Sequence, residues 1–233
     1  GPTDGALDLG GTSAQIAFVP GEPGDAPTVP VTIGGKTYPV YAQSYLGYGV
    51  DYARPHLNYD PCFPKGVGKG AGKYGACVAK LEASLKPASC PAQRCGLAQP
   101  GDAKAAGVPQ PAPPAGAKFR AFGVYNYVQD FFKLADDAKP AALAEAAGGK
   151  NGKAGYCALP WKQITAQYQG VEERFLQNYC FDAAWIAALL KGFGFAADTD
   201  AIAWTDKVGE FDASWTAGAA LCSATGCLSA PKG

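Results

Sequence analysis

The feature that most limits the fold of this 233-residue chain is its set of eight cysteines, at positions 62, 77, 90, 95, 157, 180, 222 and 227. No two of them have the C-x-x-C spacing of zinc ribbons and redox motifs, and the chain has only one histidine. We therefore expect disulfides, which indicate a secreted, lumenal or cell-surface protein. The alternative, buried free thiols in a cytosolic protein, fits less well with the turn-rich sequence between Cys90 and Cys95.

The charges of the chain balance, with twenty Lys and Arg against twenty Asp and Glu. Nucleic-acid-binding proteins and polybasic membrane-surface proteins both need clustered basic residues, so neither class is indicated. The uncharged stretch at residues 215–231 is rich in Gly, Ser and Thr and too short to predict a membrane-spanning helix. The chain contains no methionine, and we therefore expect it to be a piece of a longer protein.

The predicted elements run from strands to helices, which indicates an α/β or α+β organisation. Strands are predicted at residues 5–9 and 14–19, joined by Gly-Gly-Thr-Ser, and a second hairpin at 29–33 and 37–41 turns at Gly34-Gly35. A short strand is predicted at 201–204. Helices are predicted at residues 45–57, 77–85, 119–134, 161–168, 181–190 and 215–221. Residues 66–73 are interpreted as a flexible surface loop, and residues 99–118 as a low-complexity Pro/Ala/Gly loop.

The segment from Asp8 to Gln15 combines residue types that suit phosphate chemistry. A carboxylate at a strand end can hold a divalent cation directly or through water. The Gly10-Gly11 turn exposes backbone N–H groups that can bind a phosphate. Ser13 and Gln15 could then orient phosphate oxygens or an attacking water. By itself, however, D-x-G-G is also a common tight turn.

The same segment resembles a motif of a known family. Residues 5–19, GALDLGGTSAQIAFV, are similar to the fourth apyrase region of the ecto-nucleoside triphosphate diphosphohydrolases, G-A-L-D-L-G-G-A-S-T-Q followed by a strand. Further stretches resemble family motifs in the same order: residues 38–49, 60–63, 90–95, 119–122, 156–161, 179–181 and, for the fifth apyrase region, 212–218. The resemblance covers nearly the whole chain.

The resemblance implies an α/β fold: an RNase H-like lobe of the actin-like ATPase superfamily, with a mixed sheet flanked by helices and stapled by disulfides. In the family the nucleotide binds between two such lobes. The first three apyrase regions, which include the general-base glutamate, do not occur in this sequence. We therefore expect residues 1–233 to be a single C-terminal lobe, which needs an N-terminal lobe of the same enzyme or a complementary chain and has negligible turnover alone.

By resemblance, the residues of the two apyrase regions take specific roles. Asp8 and Trp215 would hold Ca²⁺ or Mg²⁺ through water. The phosphate would be bound by Gly10, Gly11, Thr12 and Ser13. Gln15, with Ser13, would act in catalysis by positioning the nucleophilic water. Thr12 and Ala14 exchange the usual Ala and Thr of the motif, so one hydroxyl group changes place.

The family also stacks the nucleobase between an aromatic residue and a second side chain. Tyr125 and Tyr127 fall where the aromatic residue is expected, and Arg174 lies near the second position. The alternative is that Tyr125 belongs to the core and Arg174 is a solvated helix residue.

The resemblance further implies how the cysteines pair. Cys90–Cys95 and Cys157–Cys180 follow from matched family positions. Cys62 and Cys77 have lost their usual family partners and are expected to bond to each other. Cys222–Cys227 has no family counterpart and is the pair that remains.

These observations together predict a secreted or lumenal, apyrase-type phosphohydrolase acting on nucleoside tri- or diphosphates with a divalent cation. The alternative is a non-catalytic extracellular structural or assembly protein that reuses this lobe and could self-assemble. Neither hypothesis involves nucleic acid or a membrane span within these residues.

Overall fold

The computed structural model describes residues 3–22, 27–57, 59–85, 108–213 and 215–227. In chain order, its strands are β1 (Gly5–Leu9), β2 (Ser13–Phe18), β3 (Val29–Ile33), β4 (Lys36–Leu46), β5 (Phe119–Gly123), β6 (Gly149–Lys150), β7 (Lys153–Ala154), β8 (Ile202–Trp204), β9 (Lys207–Val208) and β10 (Phe211–Asp212). Six of them form one mixed sheet in the order β3-β4-β2-β1-β5-β8, and the other four form two short ladders.

The main sheet has one buried face and one partly exposed face, as alternating sequences in strands dictate. In the sheet order, β3, β4, β2 and β1 pair antiparallel with their neighbours, whereas β1–β5 and β5–β8 pair in parallel. The buried face is formed by large apolar side chains from five strands: Leu7, Leu9, Ile16, Phe18, Tyr41, Tyr45, Phe119, Ile202 and Trp204. Asp8 and Gln15 alternate with these residues and therefore lie on the opposite face.

Helices pack against the sheet and against one another. In chain order, they are α1 (Val50–His56), α2 (Tyr74–Ser84), α3 (Val124–Phe131), α4 (Pro140–Gly148), α5 (Trp161–Gln167), α6 (Glu173–Leu176), α7 (Tyr179–Gly192) and α8 (Trp215–Thr225). Helix α7 is apolar nearly all round and is correspondingly buried on most sides. None of the helices in the described ranges is long and apolar enough to cross a membrane.

Three disulfides are present among the described residues: Cys62–Cys77, Cys157–Cys180 and Cys222–Cys227. The first joins a 3₁₀ turn at Asp60–Cys62 to α2, and the second joins a 3₁₀ turn at Tyr156–Ala158 to α7. The expected pair Cys90–Cys95 lies outside the described residues.

Two of the predicted helices begin too early. Residues 45 and 46 belong to β4, because Tyr45 continues the inward alternation of Tyr41, and α1 begins only at Val50. Residues 119–123 form β5 rather than the start of a helix, because Phe119 and Ala121 point into the core from a strand paired with β1. Helix α4 was not expected at all.

The loop at residues 66–73 is held in place, in contrast to our expectation of a flexible loop. Backbone N–H groups of Ala71, Gly72 and Lys73 donate to carbonyls of the Asp60–Phe63 turn at 2.8–2.9 Å. The Cys62–Cys77 disulfide closes the same segment. Of the predicted low-complexity loop, residues 99–107 lie outside the described part of the chain, and Gln110 is buried with its Nε2 donating to the Phe193 carbonyl.

Candidate functional site

The turn between β1 and β2, Gly10-Gly11-Thr12, is attached through its carbonyl groups to the start of α1. The Gly10 carbonyl accepts from the Val50 N–H at 3.0 Å, and the Gly11 carbonyl accepts from the N–H groups of Asp51 and Tyr52 at 2.9 and 3.0 Å. The Thr12 carbonyl accepts from the Gly47 N–H at 2.8 Å. We call residues 10–12 the phosphate loop, after the role that the sequence predicts for them. All three of its carbonyls point toward α1 and the turn that precedes it.

A glycine is required at position 49, and a side chain at position 11 would displace the Asp51 carboxylate. A Cβ atom on Gly49 would lie 2.3–2.4 Å from backbone atoms of Gly11, Thr12 and Ser13. A Cβ atom on Gly11 would lie 2.4 Å from Oδ2 of Asp51. At Gly49 the backbone of the phosphate loop therefore lies too close to admit any side chain.

Among the described residues, one backbone N–H group of the phosphate loop donates a hydrogen bond within the protein and the other two do not. The Gly10 N–H, which the resemblance assigns to the phosphate, donates to the Ser13 carbonyl at 3.0 Å and closes the turn. Within the described residues, the N–H groups of Gly11 and Thr12 donate no hydrogen bond. Successive unpaired backbone donors at a tight turn can bind an anion.

Strand register places the side chains of Asp8 and Gln15 beside each other next to this loop. Asp8 of β1 is paired with Gln15 of β2, which is in turn paired with Ser44 of β4. Nε2 of Gln15 donates to Oγ of Ser13 at 2.5 Å and to Oγ of Ser44 at 2.9 Å. Because both serines hold the nitrogen, Oε1 of the same amide is left as an acceptor.

Asp8 is a half-buried carboxylate at the end of β1. Its burial raises its pKa above the usual range, and a backbone hydrogen bond from Leu9 opposes that effect. Gly123 makes room for it, since a Cβ there would lie 3.0 Å from Oδ1 of Asp8. Burial, and then the charge of Asp8, raise the pKa of Tyr125, whose hydroxyl is buried and unpaired among the described residues. An orphaned hydroxyl and an open carboxylate are compatible with a hydrated cation at this position.

The described residues alone do not provide a complete metal site. They contain no group of three or more His, Cys, Asp or Glu side chains that could hold an ion. Asp8 could therefore serve as one carboxylate toward a cation whose other ligands are water or come from elsewhere. Trp215, the second residue expected near the metal, is the first residue of α8.

The three residues expected to bind the nucleobase differ in how far their side chains are exposed. Tyr125 is fully buried and packs near Trp204, with ring centroids 6.3 Å apart, so it belongs to the core, as the alternative interpretation had it. Tyr127 is 64% exposed. Arg174 is exposed, pairs with Glu172 at 2.9 Å and lies over the Phe175 ring. Among the described residues, no hydrogen bond or ring contact joins Tyr127 to Arg174.

Three charged residues beside the phosphate loop were missed by sequence reasoning: Asp51, Arg54 and Asp182. Arg54 donates to both carboxylate oxygens of Asp182 at 2.8 and 2.9 Å and to Oδ1 of Asp51 at 2.8 Å. Burial raises the pKa of Asp182 to about 6, against the opposing effect of Arg54. A signal was available, since an aspartate within the otherwise apolar run FDAAWIAALL requires a buried partner.

Comparison with known proteins gives consistent similarities. The model of the GDA1/CD39 (nucleoside phosphatase) family matches residues 1–228. The chain is 29% identical to ectonucleoside triphosphate diphosphohydrolase 1 of Rattus norvegicus, over 93% of this chain and 48% of that protein. It is 30% identical to ectonucleoside triphosphate diphosphohydrolase 8 of Bos taurus, over 92% and 49%. It therefore spans about half the length of these relatives.

A solved structure of a nucleoside triphosphate hydrolase from Neospora caninum has the same fold. It superimposes with a TM-score of 0.60 at 14% identity, over 88% of this chain and 53% of the other. The expected fold class, an α/β, RNase H-like lobe with a mixed sheet flanked by helices, is thereby confirmed.

Proposed function

Since the chain belongs to the GDA1/CD39 (nucleoside phosphatase) family, we propose that it forms part of an apyrase-type enzyme that hydrolyses nucleoside tri- or diphosphates. Its share of the site would be the phosphate loop with Asp8, Ser13 and Gln15. Because it spans about half of its relatives, we propose that residues 1–233 are one lobe, which meets a second lobe or complementary chain across the nucleotide.

One observation carries this proposal: the polarity of the phosphate loop. Its three carbonyls are all bound by N–H groups of α1 and the preceding turn, whereas the N–H groups of Gly11 and Thr12 remain unpaired within the described residues. A turn whose N–H groups are unpaired and whose carbonyl groups are already hydrogen-bonded can bind an anion. Asp8, beside this loop, suits the cation that accompanies a nucleotide phosphate.

In the proposed mechanism, this chain binds and orients while the phosphoryl group transfers to water. The amides of Gly11 and Thr12 and the hydroxyl of Ser13 donate to phosphate oxygens. Oε1 of Gln15 accepts a hydrogen bond from the attacking water and so aligns it, because Ser13 and Ser44 fix the other end of the amide. Phosphoryl transfer depends on such positioning and on charge stabilisation. A bound Ca²⁺ or Mg²⁺ would neutralise developing phosphate charge, with Asp8 and Trp215 holding its water.

We further propose an extracellular or secretory-pathway location. The disulfides Cys62–Cys77 and Cys157–Cys180 support it, because both tie core elements together and would be reduced in the cytosol. The relatives named above are ecto-enzymes by their names. For the nucleobase, Tyr127 remains the exposed aromatic candidate, with Arg174 as its proposed partner.

The direct test is Mg²⁺-dependent binding of a non-hydrolysable nucleoside triphosphate to the chain, measured by isothermal titration calorimetry. Asp8→Asn should weaken binding about 10-fold or more, because it removes the carboxylate that faces the cation. Gln15→Ala should change the affinity less than about 3-fold, since its role concerns the water. When the chain is combined with its other lobe, Gln15→Ala should lower turnover about 100-fold or more.

Matched controls are available at exposed positions away from the loop. Asp137→Asn and Gln163→Ala remove the same groups from the surface and should leave the affinity unchanged. A folded wild-type chain that binds no nucleotide, with or without Mg²⁺, would contradict the proposal and favour the structural alternative.

A further inference from the structure

We propose that Asp51 and Arg54 are positioning residues that fix the phosphate loop by tying it to the buried helix α7. The three residues Asp51, Arg54 and Asp182 form what we call the Arg54 network. Its importance for nucleotide binding rests on the proposed function, but its effect on the loop does not.

The network begins in the core. Asp182 lies in the first turn of α7, and its side chain is only 6% exposed. The neighbouring Cys180 is fully buried and bonded to Cys157. Asp182 is therefore a fixed point, and its carboxylate holds Arg54 through two parallel hydrogen bonds. Such a bidentate pair fixes the plane of the guanidinium as well as its distance.

Arg54 in turn fixes the side chain of Asp51. Its third nitrogen donates to Oδ1 of Asp51 at 2.8 Å, one turn earlier on α1. Without this bond the Asp51 side chain, which is 73% exposed, would be free to rotate into solvent. The pairing is reflected in Arg54 itself: desolvation lowers its pKa, but the hydrogen bonds and charges of Asp182 and Asp51 together raise it above the usual value.

Asp51 then meets the phosphate loop twice. Its N–H donates to the Gly11 carbonyl at 2.9 Å. Its second carboxylate oxygen occupies the space that a side chain at position 11 would fill, 2.4 Å from an ideal Cβ. The loop thus has a backbone bond on one side and a fixed carboxylate on the other, which holds the peptide around Gly11 in one orientation.

The sign of the effect distinguishes positioning from simple electrostatics. A carboxylate near a phosphate site repels the ligand, so its removal should tighten binding if charge alone matters. If Asp51 fixes the loop, its removal should weaken binding despite the lost repulsion. We therefore expect Asp51→Ala to lower the affinity for the non-hydrolysable nucleotide with Mg²⁺ about 3- to 10-fold.

The second readout needs no ligand. Loop exchange is the amide hydrogen exchange of Gly10 and Tyr52, whose N–H groups donate to the Ser13 and Gly11 carbonyls and hold the loop in place. Measured by NMR on the 233-residue chain, it should be about 10-fold faster in Asp51→Ala and in Arg54→Lys. Lysine keeps the charge of Arg54 but cannot donate to three oxygens in a planar arrangement. Lys191→Met is the matched control, because it breaks an exposed ion pair from the same helix α7 to Glu82 and should leave loop exchange unchanged.

A double-mutant cycle tests the contact itself. Gly11 is not among the residues with positive φ, so alanine at this position is opposed by the Asp51 carboxylate rather than by its own backbone. Gly11→Ala should speed loop exchange strongly in the wild-type background and only slightly in the Asp51→Ala background. Equal effects in the two backgrounds would overturn the assigned contact.

The outcomes separate the two proposals. If the wild-type chain binds no nucleotide but loop exchange rises in Asp51→Ala, the network stands and the proposed function fails. Unchanged loop exchange in Asp51→Ala overturns the positioning role, and weaker binding in that case would show that Asp51 contacts the ligand directly. Because Asp51 is exposed, this variant should fold even if changes at Asp182 do not.

Discussion

The phosphate loop and the C-terminal segment, residues 205–213 and 215–227, both carry proposed site residues but are held by different means. The loop accepts three backbone hydrogen bonds from α1 and one from the turn before it, and the Arg54 network holds it further. The C-terminal segment exposes Val208, Phe211 and Leu221. Backbone hydrogen bonds join it to the main sheet, from the Thr32 N–H to the Cys227 carbonyl and from the Thr205 N–H to the Ala121 carbonyl. Its Cys222–Cys227 disulfide closes only within the segment.

This difference shows which parts of the proposed site the chain can build by itself. Asp8 and Gln15 are placed by the register of a six-stranded sheet, so their relative positions follow from the fold. Trp215 is placed by a helix with few buried side chains in the described part of the chain. Exposed apolar side chains on that segment are consistent with a surface that another part of the protein covers. The loop should therefore be preformed, whereas the position of Trp215 should depend on what packs there.

Removal of single disulfides gives the largest expected contrast between the two regions. Cys157→Ser with Cys180→Ser should lower the free energy of unfolding by about 3–5 kcal/mol, because the bond closes a long loop and both cysteines are buried. Cys222→Ser with Cys227→Ser removes a bond across a sequence separation of only 5 residues. We expect a loss of about 2 kcal/mol or less, measured by urea denaturation. Equal losses would mean that the two regions are equally integrated.

Gly→Ala substitutions in the two regions should change the free energy of unfolding in opposite directions. Gly49→Ala should destabilise the protein by about 2–3 kcal/mol, since its Cβ would lie 2.3 Å from the loop backbone. Its φ of −72° is ordinary, so the cost would come from the contact alone. Gly218→Ala lies within α8, where nothing stands within 4 Å of the new Cβ, and should stabilise by up to about 1 kcal/mol. Thermal unfolding of both variants measures the contrast, and a harmless Gly49→Ala would show that the loop can move away from α1.

Sequence reasoning succeeded where a local pattern has one structural meaning. The alternation around Gly10-Gly11 predicted the β1–β2 hairpin, and the apolar run ending near Gly192 predicted α7. It failed where one spacing fits two structures: Tyr45, Tyr48 and Tyr52 match a helix, yet Tyr45 faces inward from a strand.

The site shows the same limit. Asp8 and Gln15 are seven residues apart, and a hairpin brings them together predictably. Arg54 and Asp182 are 128 residues apart, so only the tertiary fold reveals their pairing. Likewise, the buried Tyr125 and the exposed Tyr127 are only two residues apart on α3, and only packing decides which of them faces solvent.

The smallest expected contrast concerns pH. Burial raises the pKa of Asp182 from 3.8 to about 6, so between these values the folded chain binds a proton that the unfolded chain does not. The contribution of this carboxyl group to stability is therefore fully present below pH 4 and lost as the pH rises through 6. Between pH 4 and pH 7, the free energy of unfolding of the wild type should fall by about 1–3 kcal/mol relative to that of Asp182→Asn.

The measurement is urea denaturation of both proteins at several pH values, with Asp212→Asn as the control. Asp212 is exposed on β10 of the C-terminal segment, and its variant should follow the wild type in parallel. The free energy of unfolding of the wild type could instead rise with pH relative to that of Asp182→Asn. That result would mean that the attraction between Asp182 and Arg54 outweighs the cost of burying the Asp182 charge. In that case the Arg54 network would stabilise the fold at neutral pH, and the loop would be held by a favourable ion pair. The expected decrease instead means that the fixed position of Arg54 is maintained at a net cost in stability, which is typical of residues retained for a site.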